Sequence, residues 1–147
     1  MRRFGGLLAF AFVLLLGACD GDDDLGKFEV FVGGENEVCD AGGSCGGPGI
    51  GQASLDIDPE AGRLCYDLEL EDIPGSTAAH IHSGALQQTG DVVVDLEWEP
   101  GASSGSKCLE DLDEGLLTDV VESPRLYYVN VHSERYPEGA ARGHLTT

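Results

Sequence analysis

Hydrophobic and polar residues alternate along most of the chain from Lys27 onward. This period-two pattern is typical of β-strands that bury one face and expose the other. Phe28, Val30 and Val32 share the apolar face of a first strand, and a turn at Pro59–Gly62 joins two further alternating segments into a hairpin. The apolar positions of that hairpin are Ala53, Leu55, Ile57, Leu64, Tyr66, Leu68 and Leu70. The pattern therefore predicts an antiparallel sheet with one buried face.

Four later segments continue the alternation, and one segment departs from it. The alternating segments are Thr77–Ser83, Asp91–Trp98, Leu126–Ser133 and Ala141–Thr146. Residues 99–107 are rich in Gly and Ser, which predicts a loop, whereas Leu109–Val121 repeats apolar residues with helical spacing. About seven short strands and one short helix predict an all-β fold, an antiparallel Greek-key sandwich or barrel, in a single domain over residues 27–147.

The N-terminus has the pattern of an export signal. A short basic start precedes an apolar run from Leu7 to Leu16, which is shorter than the roughly 20 residues that span a bilayer. Leu16-Gly17-Ala18-Cys19 resembles the bacterial lipobox, which implies cleavage after residue 18 and a diacylglycerol thioether on Cys19. Residues 19–26 are acidic and predict a flexible tether. We therefore expect a protein held at the bacterial cell envelope by its lipid, at the outer membrane or the periplasmic face.

The charge of the chain limits the classes of partner that it can bind. The formal net charge is −19 at pH 7, with 27 acidic residues against 8 basic ones. Such a surface argues against nucleic acid and against electrostatic binding of anionic lipid headgroups. We therefore expect the protein to attach to the membrane through its lipid, and the domain itself to bind a protein or a cation.

Five cysteines are accounted for by one lipid and two disulfides. With Cys19 lipidated, four cysteines remain in an oxidising compartment, which favours disulfides. A zinc site is the alternative, but the chain has no C-x-x-C pair. Four cysteines allow three connectivities, of which we favour Cys39–Cys45 within a Gly-rich loop and Cys65–Cys108 as the long-range link.

Three of the four histidines lie in two short motifs. His80 and His82 are two residues apart on a predicted strand, so they share a face, and His132 lies on another. Alternation assigns Ile81 and Val131 to the core, which sends all three imidazoles to the solvent side of the sheet. Roots about 7 Å apart let two imidazoles lean onto one metal ion. The spacing predicts a metal site if the two strands are neighbours, and surface or hydrogen-bonded histidines otherwise.

Several other polar residues have simpler interpretations beside a functional one. His144 could join the three histidines. Asn130 is expected to bridge strands by a hydrogen bond, or else to support a histidine as an outer partner. Glu35 and Glu37 are expected at a strand end, with cation binding as the alternative, and Arg142 is expected to pair with a carboxylate.

These residues also carry a resemblance to the CHRD domain, from about Lys27 to Thr147. The matching motifs are Glu35–Val38, Thr77–Gly84, Gly90–Val93, Tyr127–Ser133, Tyr136–Gly139 and Arg142–Leu145. The resemblance implies an exported β-sandwich module, named from repeats in chordin and widespread in bacterial exported proteins. Two departures stand out: Cys39 to Cys45 replaces the family's prolines, and His144 replaces a glutamine.

The His-x-His strand followed by a later Val-x-Val-His strand is also similar to copper–zinc superoxide dismutase. That similarity implies copper ligands at His80, His82 and His132, although a bridging histidine, a zinc loop and a matching arginine are missing. The sequence thus favours a non-enzymatic binding or structural module with no assigned catalytic residues. The alternative is a copper- or zinc-binding protein with dismutase-like chemistry, but the negative charge would repel superoxide.

Overall fold

The computed structural model describes residues 26–39 and 43–146 of the chain. The predicted signal peptide, Cys19 and the tether as far as residue 25 lie outside the described residues. Within the described part, no helix is both long and apolar enough to cross a membrane.

The described residues form eight strands and one α-helix, which confirms the prediction of an all-β fold. The elements are β1 (Lys27–Gly33), β2 (Ile50–Asp58), β3 (Arg63–Glu71), β4 (Ser76–Ser83), β5 (Val92–Asp95), β6 (Ser104–Leu109), α1 (Glu114–Glu122), β7 (Tyr127–Ser133) and β8 (Ala141–His144). Short 3-10 turns at Gly34–Asn36 and Pro124–Leu126 follow β1 and precede β7.

All eight strands belong to one antiparallel sheet that curls into a half-barrel. Their spatial order is β5-β4-β7-β8-β1-β2-β3-β6. Neighbours in sequence form the β1-β2-β3 meander and the β4-β5 and β7-β8 hairpins, whereas the connections β3–β4, β5–β6 and β6–β7 cross from one half to the other. This crossing makes β4 and β7 neighbours, although α1 and two strands separate them in sequence.

The core lies on the concave side and follows the predicted alternation. Val30, Leu55, Leu68, Ile81 and Val131 are all buried in one cluster. Helix α1 adds Leu117 and Val120 to it. Each such side chain contributes about 1.5–3 kcal/mol by leaving water, so the alternating positions account for most of the driving force for this curl.

The predicted loop over residues 99–107 is wrong in part, because β6 begins at Ser104. The sequence Ser-Gly-Ser-Lys-Cys-Leu has little apolar alternation, and five of its six residues are exposed or half-buried. Pairing with β3 makes it a strand, and Cys65 lies directly opposite Cys108 in that pairing. The disulfide Cys65–Cys108 joins the two strands at this point.

Three predicted elements are shorter than expected. The fifth strand ends at Asp95 rather than Trp98, and Glu97 has a positive φ of 51°. The helix begins at Glu114 rather than Leu109, because Asp113 caps it by accepting a hydrogen bond from the Leu116 amide at 2.8 Å. The last strand also ends early, at His144 rather than Thr146, so the apolar pattern alone overextended all three elements.

Candidate metal centre

The β4–β7 pairing brings the three motif histidines together. His80 lies opposite Asn130, His82 lies opposite Tyr128, and His132 lies opposite Ala78. Ile81 and Val131 are fully buried in the core, so the intervening residues point to the convex, outer face. The condition that the sequence left open, that the two strands be neighbours, is therefore met.

Three nitrogen atoms, one from each imidazole, lie within 4.8 Å of one another. The ring centroids are 5.0 Å apart for His80 and His132, 5.7 Å for His80 and His82, and 5.9 Å for His82 and His132. Metal–nitrogen bonds are about 2.0–2.1 Å long, so small ring rotations would let all three bind one ion. Among the described residues, this is the one group of three potential metal ligands whose donor atoms lie so close together.

Each of these imidazoles has one buried ring nitrogen without a hydrogen-bond partner among the described residues. The atoms are Nδ1 of His80, Nε2 of His82 and Nε2 of His132. Buried polar atoms are almost always hydrogen-bonded in native proteins, so three unpaired ones in one cluster call for an explanation. A shared metal ion would satisfy all three.

Two of the rings are held by backbone carbonyls. His82 donates from Nδ1 to the Gly90 carbonyl at 2.9 Å, and His132 donates from Nδ1 to the Pro137 carbonyl at 3.0 Å. A carbonyl oxygen only accepts hydrogen bonds, so the proton of each neutral ring resides on Nδ1. The Nε2 atom then carries the lone pair that a metal ion needs, and such outer contacts orient metal-binding histidines.

The surroundings keep these imidazoles neutral. Burial lowers the pKa of His80, and the neighbouring His132 lowers it further, against an opposing effect of Asp95. Burial is also the main cause that lowers the pKa of His82 and of His132. At neutral pH the centre therefore offers three uncharged nitrogen donors.

The histidines lie on the outer face of the sheet, as the alternation predicted, and loops shield them from solvent. His82 is only 9% exposed, and His80 and His132 are half-buried. Two loops carry the anchoring carbonyls: the first cover loop (residues 84–91) carries Gly90, and the second cover loop (residues 134–140) carries Pro137. At Gly90 a Cβ atom would lie 1.8 Å from the Ser83 carbonyl oxygen, so glycine is required there.

Tyr128 and Arg142 fasten the first cover loop. The Tyr128 ring stacks on His82 with centroids 5.1 Å apart, and its hydroxyl accepts a hydrogen bond from the Gly90 amide at 3.2 Å. The Arg142 guanidinium lies 3.6 Å from the Tyr128 ring centroid and donates to the Gln88 carbonyl at 2.5 Å. A guanidinium, a phenol and an imidazole thus form one layered stack beside the centre.

The disulfide Cys39–Cys45 closes a loop that braces the second cover loop. The bracing hydrogen bonds are Ser44 Oγ to Arg135 O (3.0 Å), Gly46 N to Gly139 O (2.8 Å) and Gly47 N to Ala140 O (3.2 Å). The position of the Pro137 carbonyl, and with it the His132 ring, therefore depends on the disulfide loop.

The profile of the CHRD domain matches residues 28–145, which is most of the chain. The chain belongs to the CHRD family. No curated protein and no solved structure matches it. The three histidines and both cover loops lie inside the matched region.

The remaining predicted site residues are not part of the three-histidine cluster. His144 is not one of the three clustered histidines, and its Nε2 atom lies 3.1 Å from Nη2 of Arg142. Asn130 is buried, but its Oδ1 atom has no hydrogen-bond partner among the described residues, so the expected bridge is not made through that oxygen. Glu35 lies in the 3-10 turn after β1, as expected at a strand end.

Arg142 is almost fully buried, and its contacts are aromatic and carbonyl groups rather than the carboxylate pair that the sequence suggested. Glu37 still acts on it through its electric field. Burial raises the pKa of Glu37 to about 7, although Arg142 opposes the shift. The carboxyl group is therefore partly protonated at neutral pH.

Sequence reasoning missed the groups that fix the imidazoles: Tyr128, Gly90 and Pro137. Tyr128 has the same strand parity as His132, so its face could be predicted, but its stacking on His82 could not. The two anchors are backbone carbonyls, which carry no signal in the side-chain pattern.

Proposed function

We propose that this CHRD domain binds a transition-metal ion, copper or zinc, through His80, His82 and His132. The observation that carries the proposal is a cluster of three imidazoles, with one nitrogen of each ring within 4.8 Å of the others, in which every ring also has a buried nitrogen without a hydrogen-bond partner among the described residues. Neutral imidazoles suit copper and zinc better than calcium or magnesium, which prefer oxygen ligands.

The proposed role is metal binding without catalysis. Three protein ligands leave an open position, which a catalytic site also needs, but the cation packed beside the centre, Arg142, is not accessible to an anionic substrate. Arg142 is 1% exposed and is occupied by Tyr128 and Gln88. The net charge of −19 favours the approach of metal cations and disfavours that of superoxide.

We further propose that the domain is carried at the cell envelope by lipid on Cys19. The support is the lipobox-like Leu16–Cys19 after a short apolar run. A lipidated tether would keep a metal-binding domain near the membrane surface without electrostatic attraction to it. Cys19→Ser should then move the protein from the membrane fraction to the soluble fraction of cells, whereas retention in membranes would contradict the anchor.

The metal proposal is tested by metal analysis of the full chain, purified in detergent without a histidine tag. We expect about one equivalent of copper or zinc per chain, and loss of that binding in the His80→Ala/His82→Ala variant. His144→Ala is the matched control, since it removes a histidine from the same face but not from the cluster. Equal binding by the wild type and the double variant would overturn the proposal.

A further inference from the structure

Arg142 places a fixed positive charge next to a centre that has no negative ligand. The three clustered donors are imidazoles that the surroundings keep neutral, so the charge of a bound ion would not be compensated within its own ligand set. Placing a doubly charged ion in such a partly buried site costs more than placing a singly charged one. The guanidinium increases that difference, because it repels the higher charge more strongly.

The position of Arg142 is fixed from several sides. The guanidinium is packed over the Tyr128 ring at 3.6 Å, and that ring stacks on His82 with an angle of 11° between the planes. The Gln88 carbonyl accepts its hydrogen bond, and the side chain is 1% exposed. A charge held this way is weakly screened by solvent, unlike an exposed surface charge.

The field of Arg142 reaches the metal-binding rings. Among the groups that lower the pKa of His82, Arg142 acts alongside burial and His132. The opposing carboxylates are Asp91, which acts on His82, and Asp95, which acts on His80. Both are exposed, so solvent and salt screen them more strongly than the buried guanidinium.

We infer that Arg142 tunes the three-histidine centre toward copper in the +1 state, so that the domain holds Cu(I) in preference to Cu(II). The inference rests on the proposed metal-binding function and specifies its cargo. Glu37 opposes this effect of Arg142. When the Glu37 carboxyl group is ionised, its negative charge offsets part of the field of the guanidinium. Arg142 is a positioning residue in this scheme, since it acts through Tyr128 and through its field and touches no metal ligand.

The test is a redox titration of the copper-loaded full chain in detergent at pH 8, together with competition against chromogenic chelators for each oxidation state. In Arg142→Gln we expect a lower midpoint potential and a Cu(I)-to-Cu(II) affinity ratio reduced by about tenfold. Arg142→Lys should keep most of the wild-type ratio, because it keeps the charge. Glu37→Gln should shift the midpoint potential upward. Because this change leaves Arg142, Tyr128 and His82 in place, it still tests the inference if Arg142→Gln does not fold.

Arg63→Gln, on β3, is the matched control for net charge and should leave the potential unchanged. A wild-type protein that binds Cu(II) more tightly than Cu(I) would overturn the inference. Unchanged potentials in folded Arg142→Gln and Glu37→Gln would also overturn it, with the metal site intact. A wild-type protein that takes up zinc but no copper would overturn the inference alone, whereas one that takes up neither metal would refute the proposed function itself.

Discussion

The outer face of this sheet has two regions that share one alternation pattern and differ in chemistry. Over β1 and β2 most outward side chains are polar and open to solvent, with the exposed Phe31 as an exception, and Glu29 accepts hydrogen bonds from Gln52 and Ser54 at 3.2 and 2.8 Å. Over β4 and β7 the outward side chains include His82, only 9% exposed, and the buried Asn130. Strand parity decides which face a residue is on, but the cover loops decide whether that face meets water. Only the covered region holds its polar residues in a constrained cluster, which is the set of metal donors proposed above.

The strongest way to abolish this difference is Gly90→Ala. The new Cβ atom would meet the Ser83 carbonyl oxygen at 1.8 Å, so the first cover loop must move and His82 loses its anchor. Loss of such an outer contact typically lowers metal affinity by about 10–100-fold. Isothermal titration with zinc would measure the change, with Gly115→Ala in α1 as a control that should bind like the wild type. Unchanged affinity in a folded Gly90→Ala protein would show that the anchor is dispensable.

The next largest effect is expected from a change of pH, because the covered region contains the three clustered histidines and β1 and β2 contain none. The pKa values of His80, His82 and His132 are lowered on folding, so their contribution to stability is present above the unfolded value of about 6.5 and is lost as the pH falls toward the folded values. Protonation also competes with the metal ion. We therefore expect thermal stability to decrease below about pH 6.5, and metal affinity to decrease at lower pH, where the imidazoles of the folded protein become protonated.

Calorimetry and metal titration between pH 5 and pH 8 would follow this decrease. In the His80→Ala/His82→Ala variant the acid-dependent loss of stability should be smaller than in the wild type. An identical pH profile in the two proteins would assign the loss to other groups.

A smaller effect is expected from opening the disulfide loop. Cys39→Ser/Cys45→Ser removes the closure of the segment that braces the second cover loop, so the Pro137 carbonyl should hold His132 less firmly. We expect metal affinity to decrease several-fold, less than in Gly90→Ala, because the hydrogen bonds of residues 44–47 remain available. Competition with a zinc chelator would measure it. An affinity equal to that of the wild type would separate the disulfide from the site.

The exposed region should respond least. Glu29→Gln removes a charge from the face over β1 and β2 but leaves its hydrogen-bond acceptor. Surface substitutions of this kind usually change the free energy of unfolding by no more than about 0.5 kcal/mol, and the metal affinity should not change. Chemical denaturation and zinc titration would check both, and a tenfold change in affinity would mean that the two regions are coupled.

The sequence predicted the local part of this fold because alternation is a local signal. It placed Ile81 and Val131 in the core and the three histidines on the opposite face, and the family motifs named the domain. It missed β6, where Ser104–Leu109 is a strand only through pairing with β3. It could not show that β4 lies beside β7, since the crossing connections that arrange this leave no periodic trace.

The candidate site was predictable to the same extent. Residue types and spacing singled out His80, His82 and His132 as a set. The orientation of each ring depends on carbonyl groups of distant loops, and the burial of Arg142 depends on its packing against Tyr128. Such properties arise from the assembled fold and are not written in any short segment.

Gly90 has both of its backbone polar groups committed, the amide to the Tyr128 hydroxyl and the carbonyl to the His82 ring. Its backbone amide should therefore serve as a built-in spectroscopic probe. In a two-dimensional nuclear magnetic resonance spectrum, a glycine cross-peak that shifts as metal is added and exchanges slowly with deuterium would report occupancy of the centre at single-atom resolution, with no label attached to the ligands themselves.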